Sequence, residues 1–285
     1  MSAPALQLLA PAKLNLFLHI TGRRADGYHT LQSVFQLLDF GDRMTFQLGS
    51  EPGSSLHVQS SGQLGVMPME QNLVLRAARK LQALANPGVP GVRITIEKRI
   101  PVGGGLGGGS ADAAMTLIAL NALWDMHLDN AALCSLGKEL GADVPVFIQG
   151  HSAWAEGIGD LLEPVALPTA WYLVLTPPCQ VPTGEIFCHT DLTRNTPAIK
   201  MADFLAGRVR NDCESVTCRL YPEVAEVLNW LGNFAKSRMT GTGASVFAAF
   251  RDEASARRVF DEKPAHWHGF VARGVDSLPH SAAGN

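Results

Sequence analysis

Apolar and polar side chains alternate along the first segment of the chain. Apolar residues occupy the even positions from 14 to 20, and they alternate with odd positions that include Lys13 and Asn15. A period of two is the spacing of a β-strand whose two faces meet different surroundings. We therefore predict a strand over residues 6–20, with Lys13 and Asn15 on the same face.

Other apolar patterns divide the rest of the chain into short strands and helices. Apolar or alternating runs predict strands over residues 34–40, 43–48, 56–59, 92–98, 172–176 and 246–250. Helical periodicity predicts helices over residues 72–84, 110–124, 130–140, 203–207 and 222–234. This mixture is typical of an α/β or α+β chain, with a frayed tail over residues 279–285.

Polar residues and glycines mark several helix ends. Asn72 and Ser110 stand where an N-cap is expected, and Gly141 follows a helical pattern that it can terminate. Asp112 is expected in the first turn of its helix, where the helix dipole favours a negative charge.

Composition limits the class of protein. The chain has 285 residues, of which 46% are hydrophobic and 17% are charged, so it can bury a large core and divide into two lobes. With a formal net charge of -3, the chain lacks the excess of basic residues that is typical of a nucleic-acid-binding protein. No apolar run approaches the roughly 20 residues that span a bilayer, and the first residues do not resemble a signal peptide. We therefore expect a cytoplasmic protein that binds neither nucleic acid nor membrane.

The five cysteines are scattered and include no C-x-x-C pair. This usage predicts free thiols in a reducing compartment. Cys213 and Cys218 have no nearby histidine that would complete a metal site, and the sequence assigns them no role.

The strongest chemical signal is a glycine run. Six of the seven residues from Gly103 to Gly109 are glycine, between a predicted strand and a predicted helix. Free backbone N–H groups and a helix N-terminus form a cradle for phosphate. A dinucleotide site would need an acid at the end of the next strand, whereas Asp125 and Asp129 follow a helix. A Walker A loop would need its own lysine, so a lysine must come from elsewhere. A purely structural glycine turn is the remaining alternative.

Three separate stretches together resemble the motifs of the GHMP small-molecule kinase superfamily. They are Pro11-Ala-Lys-Leu-Asn-Leu16, the loop from Pro101 to Asp112, and Met239-Thr-Gly-Thr-Gly-Ala244. Arg24-Ala-Asp-Gly-Tyr-His29 and Gly141-Ala-Asp-Val-Pro145 are similar to members whose acceptor is a polyol linked to cytidine diphosphate.

The resemblance implies an α+β fold with two lobes and an active site between them. The N-terminal lobe would resemble ribosomal protein S5 domain 2, and the C-terminal lobe would be ferredoxin-like. We expect an ATP-binding lobe with the catalytic residues over residues 1–160 and a substrate-binding lobe over residues 161–285. A monomer or a weak homodimer is expected.

The resemblance also implies a set of ATP-binding residues and an accompanying Mg²⁺ ion. The set comprises Pro101, Val102, Gly103, Gly104, Gly105, Leu106, Gly107, Gly108, Gly109, Ser110 and Ala111, with Asn72 near the adenosine. The Mg²⁺ ligands stay open, although Ser110 can offer a hydroxyl. The reaction would transfer the γ-phosphoryl group to a hydroxyl of the polyol.

Two residues match the catalytic positions of the superfamily. Asp143 would orient the acceptor hydroxyl first and take its proton second, and Lys13 would neutralise the developing charge. Taken alone, Asp143 could instead form an Asx turn, and Lys13 could be a solvated residue of an edge strand.

The remaining predicted residues bind the acceptor. Tyr28 and Phe187 would stack on the two faces of the cytosine, and His29 would hydrogen-bond its edge. Without the resemblance, Phe187 would be assigned to the core and Tyr28 would anchor a loop. The full acceptor set is Asn15, Tyr28, His29, Asp143, Thr183, Phe187, Thr240, Gly241 and Gly243.

Three other functions remain possible at this point. Another kinase of the superfamily could act on homoserine, mevalonate or a sugar, none of which carries a base to stack on Tyr28. A nicotinamide dehydrogenase would need an acidic residue at the end of the strand after the glycine run, and this sequence has none there. A module that only binds nucleotide would have no use for a carboxylate beside the γ-phosphate.

Overall fold

The computed structural model describes residues 5–52, 56–61, 72–86 and 88–278. The first part of the chain forms β1 (Ala5–Arg23), β2 (His29–Pro52), β3 (His57–Ser61), α1 (Leu73–Leu84), β4 (Pro90–Glu97), α2 (Gly108–Leu123), α3 (Asn130–Leu140), α4 (Val144–Gln149), β5 (Ala153–Glu156) and β6 (Leu161–Pro164).

The second part forms β7 (Trp171–Thr176), α5 (Thr183–Cys188), α6 (Met201–Leu205), α7 (Glu214–Leu220), α8 (Pro222–Gly232), β8 (Ser237–Met239), β9 (Val246–Phe250), α9 (Glu253–Asp261) and β10 (His268–Val275). The predicted frayed tail lies outside the described residues. Helices and strands alternate irregularly and most strand pairs are antiparallel, so the predicted α+β class is confirmed.

The described strands form one ten-stranded sheet in which β2 is central. The main order is β3-β4-β2-β10-β7-β9-β8, and β1 and β5 also pair with β2. β10 pairs with β7 over most of its length and with β2 at Gly274 and Val275. The two halves of the chain are therefore joined by backbone pairing, and the lobe boundary after residue 160 stays a prediction.

The first predicted strand is confirmed and extends beyond the expected range. The two strands expected over residues 34–40 and 43–48 are wrong as separate elements, because β2 runs through both. β2 stays continuous since residues 41–47 keep pairing with residues 5–11 of β1. The polar residue between the two expected strands, Asp42, is buried in an ion cluster instead of marking a turn.

The helix predicted after the glycine run begins earlier than expected. Its first residue is Gly108 and its N-cap is Gly107, so Ser110 is not the cap. Asp112 is consequently beyond the first turn, where it is buried against Lys98. By contrast, Asn72 caps α1 as predicted, since its Oδ1 accepts from the N–H groups of Val74 and Leu75 at 2.9 and 3.3 Å.

Several short elements lack a sequence prediction. They are α4, α5, α7, α9, β5, β6, β8 and β10. α4 begins three residues after Gly141, and α5 begins at Thr183. Most of these elements are too short to show a clear period, and tertiary contacts select their conformation.

Three clusters of buried apolar residues support the sheet. One lies between α1–α4 and strands β1, β2 and β4, and a second lies under α7–α9. The third joins the halves, because it packs Leu14 of β1 and Leu106 of the glycine run against Val174 of β7. The glycine run is thus held at the junction of the two halves. In the part of the chain that the structure describes, no helix has the length and apolarity to cross a membrane.

Candidate active site

A cavity of about 1180 Å³ opens where the two halves meet. Most residues predicted from the sequence line it. They are Lys13, Asn15, Tyr28, His29, Asn72, all residues from Pro101 to Ser110, Asp143, Thr183, Phe187 and Gly241.

Three predicted residues lie behind the cavity wall. Ala111 and Thr240 are fully buried, and Gly243 is also buried. The Thr240 hydroxyl accepts from the Asn15 N–H at 2.9 Å and donates to the Gly105 carbonyl at 3.3 Å. These residues support the residues that face the cavity, and a direct contact with ligand stays a prediction for each of them.

Lys13 and Asp143 come together from distant parts of the sequence. The Lys13 Nζ is 3.3 Å from Asp143 Oδ2 and donates to Asn15 Oδ1 at 2.5 Å. Lys13 is only 4% exposed, which rules out a solvated edge residue. Asp143 immediately precedes α4, yet its side chain makes no capping hydrogen bond to that helix. Its side chain, 35% exposed, instead contacts the ammonium, and both residues line the cavity.

The N-terminus of α2 faces the same ammonium. The first intrahelical bond runs from the Ala111 N–H to the Gly107 carbonyl, so the N–H groups of residues 108–110 precede the intrahelical ladder. A Cβ on Gly107 would lie 3.2 Å from the Lys13 Cε, which shows how closely the lysine stem approaches the loop. A helix N-terminus beside an ammonium attracts phosphate. The lysine that the glycine run lacks is supplied by β1.

Backbone conformation and close packing give a second reason for glycine at position 105 of the run. Its φ is +73°, which favours glycine, and a Cβ there would lie 2.4 Å from the Thr240 carbonyl oxygen. The second glycine motif packs directly on this point, and the Ser245 N–H donates to the Gly104 carbonyl at 3.2 Å. The positive φ and the close packing of the two loops therefore both require glycine at position 105.

A buried ion cluster lies beside the glycine run, and sequence reasoning missed it. The Lys98 ammonium contacts the carboxylates of Asp42 and Asp112, at 2.7 Å for Asp112. Asp42 Oδ1 also accepts from the backbone N–H groups of Arg99 and Ile100, at 2.5 and 2.8 Å. This carboxylate fastens the chain just before the run to the centre of the sheet. The one sequence signal for this cluster is Lys98, a lysine that stands five residues before the glycine run begins.

Two carboxylates share one ammonium in this cluster. Burial, with the neighbouring Asp42 charge, raises the pKa of Asp112 to about 7, although Lys98 acts in the opposite direction. Burial alone would lower the pKa of Lys98, but the two carboxylates raise it. Asp112 Oδ1 is buried without a hydrogen-bond partner among the described residues. A proton on Asp112 would leave the cluster close to neutral.

Aromatic residues lie at another part of the cavity. The rings of His29 and Phe187 stack with centroids 5.3 Å apart and an interplanar angle of 26°. Tyr28 is 62% exposed and follows a turn in which Asp26 accepts from its N–H at 3.2 Å. Thr183 shares a 3.2 Å hydrogen bond with the hydroxyl of Thr242, which connects α5 to the second glycine motif. Phe187 is half-buried, and its ring partner is His29.

The side chains present suit a sparsely bound Mg²⁺ ion. No group of three or more His, Cys, Asp or Glu residues in the described ranges is arranged to hold a metal. Mg²⁺ bound to phosphate oxygens and water needs only one or two protein ligands. Ser110 fits this need, since it lines the cavity together with Asp143 and its hydroxyl can bind a metal ion.

Comparison with known proteins agrees with this geometry. Residues 72–151 match the GHMP kinase N-terminal domain, and residues 196–269 match the GHMP kinase C-terminal domain. A solved structure of 4-(cytidine 5'-diphospho)-2C-methyl-D-erythritol kinase is 34% identical and superimposes with a TM-score of 0.79, over 94% of this chain and 99% of that one.

Two sequence relatives are named 4-diphosphocytidyl-2-C-methyl-D-erythritol kinase. The one from Thiobacillus denitrificans is 53% identical over 270 residues, which is 95% of each chain. The one from Marinobacter nauticus is 50% identical over 278 residues, which is 96% of each chain. With both domain models matched and near full-length identity of about half, the chain belongs to the GHMP kinase family.

Proposed function

We propose that this chain transfers the γ-phosphoryl group of ATP to the 2-hydroxyl of 4-diphosphocytidyl-2-C-methyl-D-erythritol, a step of non-mevalonate isoprenoid precursor synthesis. The observation that carries the proposal is the Lys13–Asp143 pair, 3.3 Å apart beside the N-terminus of α2, in a cavity that also holds the aromatic residues. The names of the near full-length relatives support the same acceptor.

ATP is the phosphoryl donor that the kinase family implies. Its phosphates would lie on the N–H groups of residues 108–110, and its adenosine would lie towards Asn72 at the start of α1. Mg²⁺, when bound, would shield the charge between the phosphates, with the hydroxyl of Ser110 as the protein ligand that fits. The buried Lys98 cluster would keep the glycine run in place.

Asp143 and Lys13 would act on the acceptor hydroxyl and the transferred group. Phosphoryl transfer passes through a loose transition state, so positioning and charge neutralisation contribute most of the catalysis. Asp143 would accept a hydrogen bond from the hydroxyl, which aligns its oxygen with the γ-phosphorus, and would receive the proton as the new P–O bond forms. The Lys13 ammonium would offset the negative charge on the equatorial oxygens. Asn15 would orient Lys13 through its 2.5 Å hydrogen bond.

The aromatic residues would recognise the base of the acceptor. Tyr28 and Phe187 would stack on the cytosine, and each stacked base is typically stabilised by about 1–3 kcal/mol. His29 would hydrogen-bond the edge of the base. Homoserine, mevalonate and simple sugars carry no such ring, so this part of the cavity favours the cytidyl acceptor over theirs. A cytoplasmic location and a monomer or weak homodimer remain predictions.

The test follows label from γ-labelled ATP with Mg²⁺. The acceptors are 4-diphosphocytidyl-2-C-methyl-D-erythritol and the corresponding polyol phosphate without cytidine. We expect transfer to the cytidyl compound alone. Transfer to neither compound, while ATP still binds, would refute this acceptor and return homoserine, mevalonate and sugars to consideration. Equal transfer to both compounds would show that the aromatic residues do not select the base.

A further inference from the structure

Arg194 connects both residues of the His29–Phe187 stack. Its Nε donates to His29 Nε2 at 3.0 Å, and one of its terminal nitrogens donates to the carbonyl of Phe187 at 2.9 Å. Further hydrogen bonds reach the carbonyls of His189 at 2.7 Å and Leu192 at 3.0 Å. One half-buried guanidinium therefore sets the position of the imidazole and of the backbone that carries the phenyl ring.

The segment around Arg194 is itself anchored to the sheet. The Thr196 N–H donates to the Ile20 carbonyl of β1 at 3.0 Å, and the Ile199 N–H donates to Gln32 Oε1 of β2 at 2.8 Å. Leu192 is buried in the apolar cluster of the second half. The segment that carries the guanidinium is thus hydrogen-bonded to the sheet on its C-terminal side and packed into the core at Leu192, so its direction towards His29 is determined by the fold.

The contact determines which nitrogen of His29 carries the proton. A guanidinium is always protonated and has no acceptor, so the ring nitrogen that it meets must offer a lone pair. In a neutral imidazole the other nitrogen, Nδ1, then carries the hydrogen. Burial lowers the pKa of His29, and the charges of Arg194 and Arg23 lower it further, so the ring is kept neutral. A single N–H donor remains on the ring.

We propose that Arg194 is a positioning residue that locks His29 as the Nδ1–H tautomer and thereby makes the site select cytosine over uracil. N3 of cytosine is an acceptor and can receive this N–H, whereas N3 of uracil carries a hydrogen that would meet another donor. A free imidazole could satisfy either base by changing its tautomer. Because Arg194 donates to Nε2, His29 is restricted to the Nδ1–H tautomer, which can donate to cytosine N3 but cannot accept from uracil N3. The inference rests on the proposed function, since it assumes that the base of the acceptor reaches His29.

The tautomer can be measured without substrate. In ¹⁵N spectra of the full-length protein, we expect His29 at neutral pH to show an unprotonated Nε2 and a protonated Nδ1. Arg194→Met keeps an unbranched apolar stem but removes every donor, and it should allow the Nε2–H form to appear. Arg219→Gln is the matched control, because Arg219 pairs with Asp191 of the same segment at 2.7 Å and does not donate to His29. An Nε2–H or doubly protonated His29 in the unmodified protein would overturn the proposal, whatever the variants do.

The selectivity is tested with paired acceptors. The ratio of kcat/KM for the cytidine-linked acceptor to that for its uridine-linked analogue should fall by about tenfold to a hundredfold in Arg194→Met. The fall should come from KM with kcat little changed, and Arg219→Gln should keep the ratio. An unchanged ratio in a folded Arg194→Met protein would overturn the role in selectivity. A protein that phosphorylates neither acceptor would refute the proposed function, while the tautomer measurement would still decide the role of Arg194 towards His29.

Discussion

At the scale of single residues, burial separates the site residues from ordinary surface charges. Lys13 is 4% exposed, Asp42 is fully buried and Asp112 is 4% exposed. Charged groups rarely occupy such positions unless they are paired. Each of the three has an opposite charge within contact distance, and two of them line the cavity. The charges at this site are therefore positioned by the interior of the protein.

Removing the charge of Asp143 should affect chemistry more than binding. Asp143→Asn keeps the shape of the side chain but cannot accept the hydroxyl proton, so kcat should fall by on the order of 10²-fold or more. ATP affinity, measured by equilibrium titration, should change little. Asp125→Asn is the control, because Asp125 is exposed and its carboxylate pairs with the exposed His127. Unaltered turnover in Asp143→Asn would remove this residue from the mechanism.

The buried Asp112 should make stability depend on pH. Its pKa of about 7 in the folded protein exceeds that of an unfolded aspartate, so the folded state holds a proton that the unfolded state has released. The contribution of Asp112 to the free energy of unfolding should therefore fall as pH rises from about 4 to about 7. Asp112→Asn should flatten this part of the profile, which scanning calorimetry at several pH values would measure. The same slope in both proteins, as expected for Asp125→Asn, would contradict this assignment.

At the scale of elements, the two glycine motifs form one structure. Gly105 of the first lies against Thr240 of the second, and Asn15 of β1 joins them through the Thr240 hydroxyl. The contact explains why Thr240 is buried although it belongs to a motif associated with ligand binding. The second motif supports the glycine run through these contacts.

A methyl group at Gly105 should disturb this contact. Gly105→Ala combines a positive φ with a Cβ 2.4 Å from a backbone oxygen, so it should destabilise the fold by at least about 1 kcal/mol. ATP affinity should also fall, since the loop must move. Gly184→Ala is the matched control for stability, because no atom lies within 4 Å of its Cβ position. Equal free energies of unfolding for the two variants, measured by urea titration, would refute the close contact.

At the scale of the whole molecule, a single sheet carries both halves. β10 begins beside β7 and ends beside β2, and the third apolar cluster packs β1 and β2 against β7 and β10. The active-site cavity lies on this junction and takes residues from both halves. Its shape depends on the halves staying packed together.

This architecture predicts cooperative unfolding. Because the halves share strand pairing and buried apolar surface, we expect one calorimetric transition, with a calorimetric enthalpy equal to the van't Hoff enthalpy. Lobes that fold independently at the predicted boundary after residue 160 would give two transitions instead. Scanning calorimetry of the full chain distinguishes these outcomes, and two resolved transitions would contradict the coupling described here.

Local patterns predicted the long elements and singled out the glycine run. Neighbouring residues alone determine the alternation in β1, the helical periods of α1 and α3, and the cap at Asn72. These features could therefore be predicted from the sequence. The glycine run indicated phosphate by its composition, and the resemblance of its flanking motifs indicated the family. Short elements such as α4 and β8 were missed because their conformation depends on what they pack against.

The sequence by itself determined the class of fold, the kinase family and the composition of the glycine run. Only the tertiary structure decided that Asp42 and Asp112 share Lys98 and that Arg194 contacts His29. The resemblance implied that Lys13 lies near Asp143, and the structure supplied their separation of 3.3 Å. Propensity and periodicity act over a few neighbouring residues, whereas these contacts join positions that are far apart in the chain. Their distances and charges depend on the strand register and helix packing, which exist only after the chain has folded.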